Sequence, residues 1–236
     1  DSLSNKNILI TGAGSGIGRA VAKIAAKNKA NLILLSKDIK KLYSLQDEIC
    51  DDGGIDPLIV EFDFLKANEK DYKKLADSLY ENYEKLDGLV HVAGVLGYLS
   101  PIINTSLNQL KTVMQVNFES NFLLTQLSLP LLLKANNPSI VFTSSGVGRK
   151  ARAFWTSYSI SKFAVEGLMQ SLADEYEKEM RVNSYNPGPT RTQMRAQAFP
   201  AEDPNTLRTP DEIAVDYLWL LSEECQETGI MYNYHE

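Results

Sequence analysis

Apolar positions along the chain fall into two rhythms. Short continuous apolar runs fit buried strands, and longer stretches with apolar residues every three or four positions fit amphipathic helices. Asn7-Ile-Leu-Ile-Thr11 reads as a strand, and Ile17–Lys27 as a helix with Val21, Ile24 and Ala25 on its inner face. The alternation continues with strand Asn31–Leu35, helix Asp38–Cys50, strand Leu58–Phe62, helix Glu69–Tyr83 and strand Gly88–Val92. Beyond these it predicts a long helix over Leu107–Lys134, strand Ser139–Thr143, helix Tyr158–Lys178 and strand Arg181–Tyr185. A last helix over Asp211–Leu221 and a short strand near Gly229–Tyr232 complete the series. Strands alternating with helices imply right-handed crossovers and a mainly parallel sheet covered on both faces. The expected fold class is therefore α/β, a single doubly wound domain over 1–236 with a seven-stranded sheet. Between Asn186 and Thr209 the pattern lapses, with Pro187, Pro189, Pro200 and Pro204 in one irregular segment. A loop this long in a compact domain is usually functional, and 187–209 is read as a substrate flap.

Composition narrows the classes. Of 236 residues, 44% are hydrophobic, enough for a sizeable core, and 30 Asp+Glu against 24 Lys+Arg give a net charge of -6. That acidic balance argues against a nucleic-acid binder. No apolar run reaches the roughly 18–20 residues that span a bilayer. The most apolar stretch, Phe122–Leu133, is broken by Thr125, Gln126, Ser128 and Pro130. The opening Asp1-Ser-Leu-Ser-Asn-Lys6 lacks the basic-then-apolar layout of a signal peptide. Cys50 and Cys225 match neither a metal spacing nor a disulfide framework. Free thiols in a reducing cytoplasm, and no metal centre, are expected.

Candidate chemistry begins at Thr11-Gly-Ala-Gly-Ser-Gly-Ile-Gly18, between the first predicted strand and the first helix. Glycine there lets the backbone turn sharply against a diphosphate, and the helix N-terminus supplies N–H groups and a positive dipole. Gly12, Gly14, Ser15, Gly16, Ile17 and Gly18 are the candidate phosphate cradle, with a plain tight turn as the alternative. Asp38 stands near the spacing at which an acidic residue binds an NAD ribose. The strand, however, ends near Leu35, so Ser36 and Lys37 should reach the ribose while Asp38 caps the next helix. A hydroxyl followed by an ammonium suits a 2′-phosphate, which points to NADP(H) over NAD(H).

The second signal is Tyr158-Ser-Ile-Ser-Lys162, which places a phenol and an ammonium one turn apart on a helix face. A neighbouring cation favours the phenolate and should lower the tyrosine's high pKa toward neutrality. A surface Tyr–Lys pair is the alternative. Ser145, thirteen residues upstream of Tyr158, ends a predicted strand, and ligands in such sheets bind at the strands' carboxyl ends.

These motifs, in this order and over nearly the whole chain, resemble the short-chain dehydrogenase/reductase superfamily with its Rossmann fold. The strings Phe142-Thr-Ser-Ser, Asn186-Pro-Gly-Pro-Thr-Arg-Thr and Met194-Arg-Ala-Gln-Ala-Phe-Pro200 are most similar to bacterial YciK-type oxidoreductases. The resemblance implies further site residues. Asp63 would meet the adenine, Ala93 and Gly94 in His91-Val-Ala-Gly94 would line the cofactor, and Asn117 would anchor a water relay to Lys162. Pro187, Gly188, Thr190 and Thr192 would hold the nicotinamide carboxamide and diphosphate. Tyr158 would act as acid/base, Lys162 would depress its pKa and hold the nicotinamide ribose, and Ser145 would polarise a substrate carbonyl. His91 and Val92 replace two asparagines of the family pattern, and His91 is expected to be a buried polar residue, not a base.

The implied activity is NADP(H)-dependent hydride transfer between nicotinamide and a small-molecule carbonyl or alcohol. Pairing of the long helices in homodimers or homotetramers is also implied. A 3-oxoacyl thioester reductase acting on acyl carrier protein or coenzyme A substrates is the alternative. A catalytically silent NADP(H)-sensing protein is the rival from another class. The cations Arg149, Lys150, Arg152, Arg191 and Arg195 bear on that choice. They are either solvated and paired charges or a positive rim that would attract an anionic substrate or an acidic carrier.

Overall fold

The computed structural model describes residues 2–234. Seven parallel strands form one sheet in the order β3-β2-β1-β4-β5-β6-β7. These are β1 (Asn7–Thr11), β2 (Asn31–Ser36), β3 (Leu58–Glu61), β4 (Gly88–His91), β5 (Ser139–Thr143), β6 (Arg181–Asn186) and β7 (Met231–Asn233). Continuous apolar runs such as Ile8-Leu9-Ile10 and Leu32–Leu35 occur because helices cover both faces of these central strands. The helices are α1 (Gly16–Lys27), α2 (Ile39–Asp51), α3 (Glu69–Asn82), α4 (Leu107–Met114), α5 (Ser120–Leu132), α6 (Thr156–Glu175), α7 (Gln193–Ala198) and α8 (Pro210–Leu221).

One core packs α1, α2 and α8 against the sheet through residues such as Val21, Leu45 and Ile213. The other packs α3, α5 and α6 through residues such as Leu79, Leu124 and Met169. Starts of helices follow local chemistry. The Asp38 carboxylate accepts from the Lys40 and Lys41 N–H groups, so it is the cap of α2 that its sequence context predicts. Thr209 and Glu212 close a capping box on α8, with Pro210 in its first turn. Strand order reverses between β1 and β4, and the crevice at that switch point is where ligands of such sheets bind.

Two predicted elements differ in form. The expected helix 107–134 is broken into α4 and α5 by a π-helical turn at Gln115–Glu119. There the Asn117 side chain leaves the helix for the β4 loop, and the Ser120 hydroxyl donates back to the Val116 carbonyl. The segment expected to be irregular holds α7 and a 3-10 turn at Pro204–Thr206, each opened by a side-chain cap from Thr192 or Asp203. Short elements between prolines leave little periodicity to detect.

Candidate active site

The turn from β1 into α1 is formed by close backbone approach. Gly12 has φ +63, and a Cβ there would stand 2.9 Å from the Ala93 nitrogen. A Cβ on Gly18 would lie 2.2 Å from the Gly12 carbonyl oxygen, so the first turn of α1 closes against the loop only as glycine. Thr11 locks the opposite wall, its hydroxyl accepting from the Val92 and Ala93 N–H groups, each at 3.0 Å. Ser15 is the N-cap of α1 with no side-chain hydrogen bond, and no acidic residue stands in the first turn. This helix N-terminus therefore keeps its positive end open to an anion. Ser36 ends β2 beside Gly14, where a Cβ would be 2.7 Å from the Ser36 Oγ, and Lys37 follows on the exposed surface. Asp63 opens the turn after β3, with Oδ1 accepting from the Leu65 N–H at 3.0 Å and Oδ2 at 3.7 Å from Lys66.

Across the switch point, α6 brings Tyr158 and Lys162 under the carboxyl end of β5. Both are buried, at 8% and 4% exposure. Ser145 caps the 3-10 turn after β5, its hydroxyl accepting from the Val147 N–H at 3.4 Å, and it acts on the Tyr158 phenol in favour of the ionised form. The Lys162 ammonium donates to the Thr143 carbonyl at 2.9 Å and lies 5.6 Å from the Tyr158 ring centre. Burial pushes the Tyr158 phenol up to about 12, with Ser145 acting the other way. Burial also pulls Lys162 down to about 8, opposed by the Glu166 carboxylate. Loss of hydration thus acts on the phenol in the direction opposite to the lowering expected from its lysine, whose ammonium donates to the Thr143 carbonyl of β5.

Asn117 is fully buried in the π turn. Its Oδ1 accepts from the Val95 N–H at 2.8 Å, and its Nδ2 donates to the Val95 carbonyl at 2.9 Å and the Ser161 hydroxyl at 3.0 Å. The side chain thus clamps the loop after Gly94 to α6. His91 stacks on Phe142 at 4.7 Å, meets the Thr125 hydroxyl at 2.9 Å and is held down to about 3 by burial, so it stays neutral.

The segment after β6 folds over this crevice. Thr190 pairs with Arg208, and its hydroxyl donates to the Gly188 carbonyl at 3.1 Å. Thr192 caps α7, with its methyl 3.5 Å from where a Gly16 Cβ would stand, so the start of the flap lies within one side chain's reach of the glycine loop. Gln197 donates to the Gly97 carbonyl at 2.9 Å. Phe199 packs 5.8 Å from Trp155, whose ring meets Tyr158 edge-on at 5.9 Å.

Residues 6–203 match the pattern of the short chain dehydrogenases. The chain belongs to the short-chain dehydrogenase family. It is similar to the oxidoreductase YciK of Escherichia coli K12, with 45% identity over 234 residues covering 99% of this chain and 93% of that protein. A short chain dehydrogenase of Escherichia coli CFT073, solved with NADPH, is 46% identical and superimposes with a TM-score of 0.96 over 99% of this chain and 98% of that one. Another from Shigella flexneri 2a, solved with NADP, is 45% identical with a TM-score of 0.96, covering 99% and 98%. This dehydrogenase is accordingly an NAD(P)-dependent oxidoreductase, and its glycine cradle fits a nicotinamide dinucleotide: backbone donors, an uncapped helix N-terminus and no anion in the way.

Of the five cations that could form a rim, Lys150 and Arg152 are exposed, with Arg152 5.7 Å from the Phe199 ring centre, and the other three have partners within the chain. Arg149 turns inward to Glu166 at 3.2 Å and to the Tyr232 carbonyl at 2.9 Å. Arg195 makes a two-pronged pair with Glu202 at 2.6 and 2.7 Å and stacks 3.9 Å over Phe199. Arg191 donates to the Pro204 carbonyl at 2.7 Å. Three residues that sequence reasoning passed over shape the site: Trp155, Lys41, whose Cβ borders Gly14, and Glu166. A signal existed for Glu166, which stands four positions after Lys162 on the same helix face.

Proposed function

We propose that the protein is an NADP(H)-preferring reductase or dehydrogenase of small neutral carbonyls and alcohols, with Tyr158 as acid/base. The observation that carries this reading is the grouping of half-buried Ser145 with buried Tyr158 and Lys162 at the end of β5, on the side of the crevice facing the glycine cradle. When bound, the nicotinamide cofactor supplies or accepts the hydride. The Gly12–Gly18 turn and the N-terminus of α1 hold its diphosphate, while Ser36 and Lys37 take the 2′-phosphate. Asp63, Ala93, Gly94, Pro187, Gly188, Thr190 and Thr192 line the remainder of its path. Tyr158, pushed up to about 12, stays protonated at neutral pH and can donate its proton to a carbonyl oxygen. Ser145 orients that oxygen, and Lys162 stabilises the phenolate left behind. Asn117 serves by holding the β4 loop against α6, because its side-chain amide is already engaged there.

A neutral substrate is favoured over an acyl thioester on a carrier protein because Arg149 and Arg195 already pair with Glu166 and Glu202. The flap, latched through Gln197 and Phe199, would open to admit it. Outward Phe122, Leu123, Ile160 and Phe163 on α5 and α6 suit a homodimer or homotetramer, and a monomeric mass by light scattering would overturn that assignment. Exposed Cys50 and buried Cys225 are both free thiols, which fits a cytoplasmic setting. The deciding experiment is Tyr158→Phe, assayed with NADPH and a panel of aldehydes and ketones. Turnover should fall at least about 10²-fold with NADPH binding retained. Near-normal turnover would remove Tyr158 from the chemistry, and no turnover of any carbonyl by the unmutated protein would favour a cofactor sensor.

A further inference from the structure

Three ionisable side chains stand one turn apart on the inward face of α6: Tyr158, Lys162 and Glu166. The first two belong to the proposed chemistry and the third does not. Glu166 is only 4% exposed, and a buried carboxylate persists as an anion only when paired and hydrogen-bonded. Its Oε1 accepts from the Arg149 Nε at 3.2 Å and its Oε2 from the Ser184 hydroxyl at 2.7 Å. Arg149 also donates to the Tyr232 carbonyl and the Asn233 side chain. The carboxylate is therefore fixed where β6, β7 and the loop after β5 meet the catalytic helix.

A tie between these elements would not require charge, since well-packed apolar residues often replace a buried ion pair at no loss of stability. The charge matters because of what it faces. Around Lys162 stand His91 from β4 and Tyr158 from its own helix, both kept neutral by burial, and the Thr143 carbonyl of β5. Tyr217 of α8, hydrogen-bonded to the Thr143 hydroxyl, is pushed well above its ordinary range and is neutral too. Asn117 and Ser161 close the side toward the π turn without a charge. Glu166 is the anion that acts on Lys162, and Arg149 is the cation beyond it.

We propose that Glu166 is a positioning residue for Lys162: its clamped carboxylate keeps the buried ammonium charged, and Arg149 sets how much of that negative charge Lys162 feels. Its bearing on turnover rests on the oxidoreductase reading, whereas the charge state of Lys162 can be read without turnover. The experiment follows the ε-carbon of Lys162 by 13C NMR through a pH titration of the whole protein without cofactor, with the resonance assigned by Lys162→Arg. Glu166→Gln should move the midpoint from about 8 downward by about one pH unit or more. Glu166→Asp should recover part of that change. Arg149→Gln should move the midpoint upward, because Glu166 then acts on Lys162 uncompensated.

A purely structural clamp predicts otherwise: both variants lower Tm while the midpoint stays fixed or moves the same way in each. Either result overturns the proposal. Should Glu166→Gln not fold, Arg149→Gln decides alone, and an unchanged or lowered midpoint refutes it. In activity, the alkaline limb of kcat/KM should move in the directions seen by NMR. Absence of turnover in the unmutated protein would count against the oxidoreductase reading and leave the NMR outcome to judge Glu166.

Discussion

On the β1 side of the crevice the chain offers a ligand its backbone, and on the β5 side it offers buried side chains. The cradle from Gly12 to Gly18 works by the absence of side chains: a Cβ at Gly18 would fall 2.2 Å from a backbone oxygen, and Ser15 leaves the end of α1 uncapped. Opposite it, Tyr158 and Lys162 are both at least nine-tenths buried, and loss of hydration shifts each away from its ordinary pKa. The first side needs correct geometry from a few consecutive residues. The second needs partners from β5, β6, β7 and the π turn, many residues apart in the chain. Two kinds of variant should therefore behave differently: cradle variants should lose stability and cofactor binding at any pH, and catalytic-side variants should show their effect through pH.

The largest expected effect belongs to Lys162. Its folded pKa, about 8, lies below the ordinary 10.5 because burial disfavours the ammonium. Below pH 8 both folded and unfolded chains hold the proton, and the folded state bears the full cost of the buried charge. Between about 8 and 10.5 the unfolded chain binds the proton that the folded one has released, so this group makes stability rise with pH across that window. Lys162→Met should remove a pH dependence worth about 3 kcal/mol. Urea unfolding of both proteins at pH 7, 8, 9 and 10 measures it. Curves that run parallel would mean that the lysine is hydrated and that the contrast between the two sides is false.

On the cradle side, Gly18→Ala tests the backbone. The added methyl meets the Gly12 carbonyl oxygen, which is main chain and cannot swing away. The variant should lose about 1–3 kcal/mol of stability, as overpacked sites do, and at least about tenfold in NADPH affinity. Neither loss should depend on pH between 6 and 9. Thermal unfolding and fluorescence titration with NADPH would check both, and unchanged NADPH affinity would place the diphosphate elsewhere.

The same contrast explains what was legible in the sequence. The sheet and most helices were legible because strand runs and helical periods are local, and so was the Asp38 cap, which acts within three residues. The glycine loop was legible because glycine is itself a conformational signal. Arg149 was legible only as one of several cations that solvation, pairing or a rim could equally explain, and its inward turn depends on Glu166 and Tyr232, far along the chain. The direction of the Tyr158 shift was missed for a related reason. The Tyr158–Lys162 spacing shows a neighbouring cation but says nothing of the burial that acts in the opposite direction. The break in the long helix at Asn117 likewise depends on Val95 and Ser161, on two other elements.

Lys37 is where the two kinds of construction meet, since it is a side chain acting on the backbone side. It follows Ser36 at the end of β2, exposed, with the Ser36 hydroxyl accepting from the Asp38 N–H at 3.2 Å. That hydrogen bond and the Asp38 cap fix the backbone on either side of Lys37, while its ammonium remains in water. An exposed ammonium that pairs with a 2′-phosphate gains a charge-assisted contact but is screened by salt. Lys37→Ala should therefore weaken NADPH by only about tenfold and leave NADH nearly unchanged, with the gap narrowing as salt rises from 0.05 to 0.5 M. Isothermal titration with both cofactors at the two salt concentrations measures this. Equal affinities for NADPH and NADH in the unmutated protein would end the 2′-phosphate assignment. An undiminished preference in the variant would shift it to Lys41, whose Cβ borders Gly14 on the same corner.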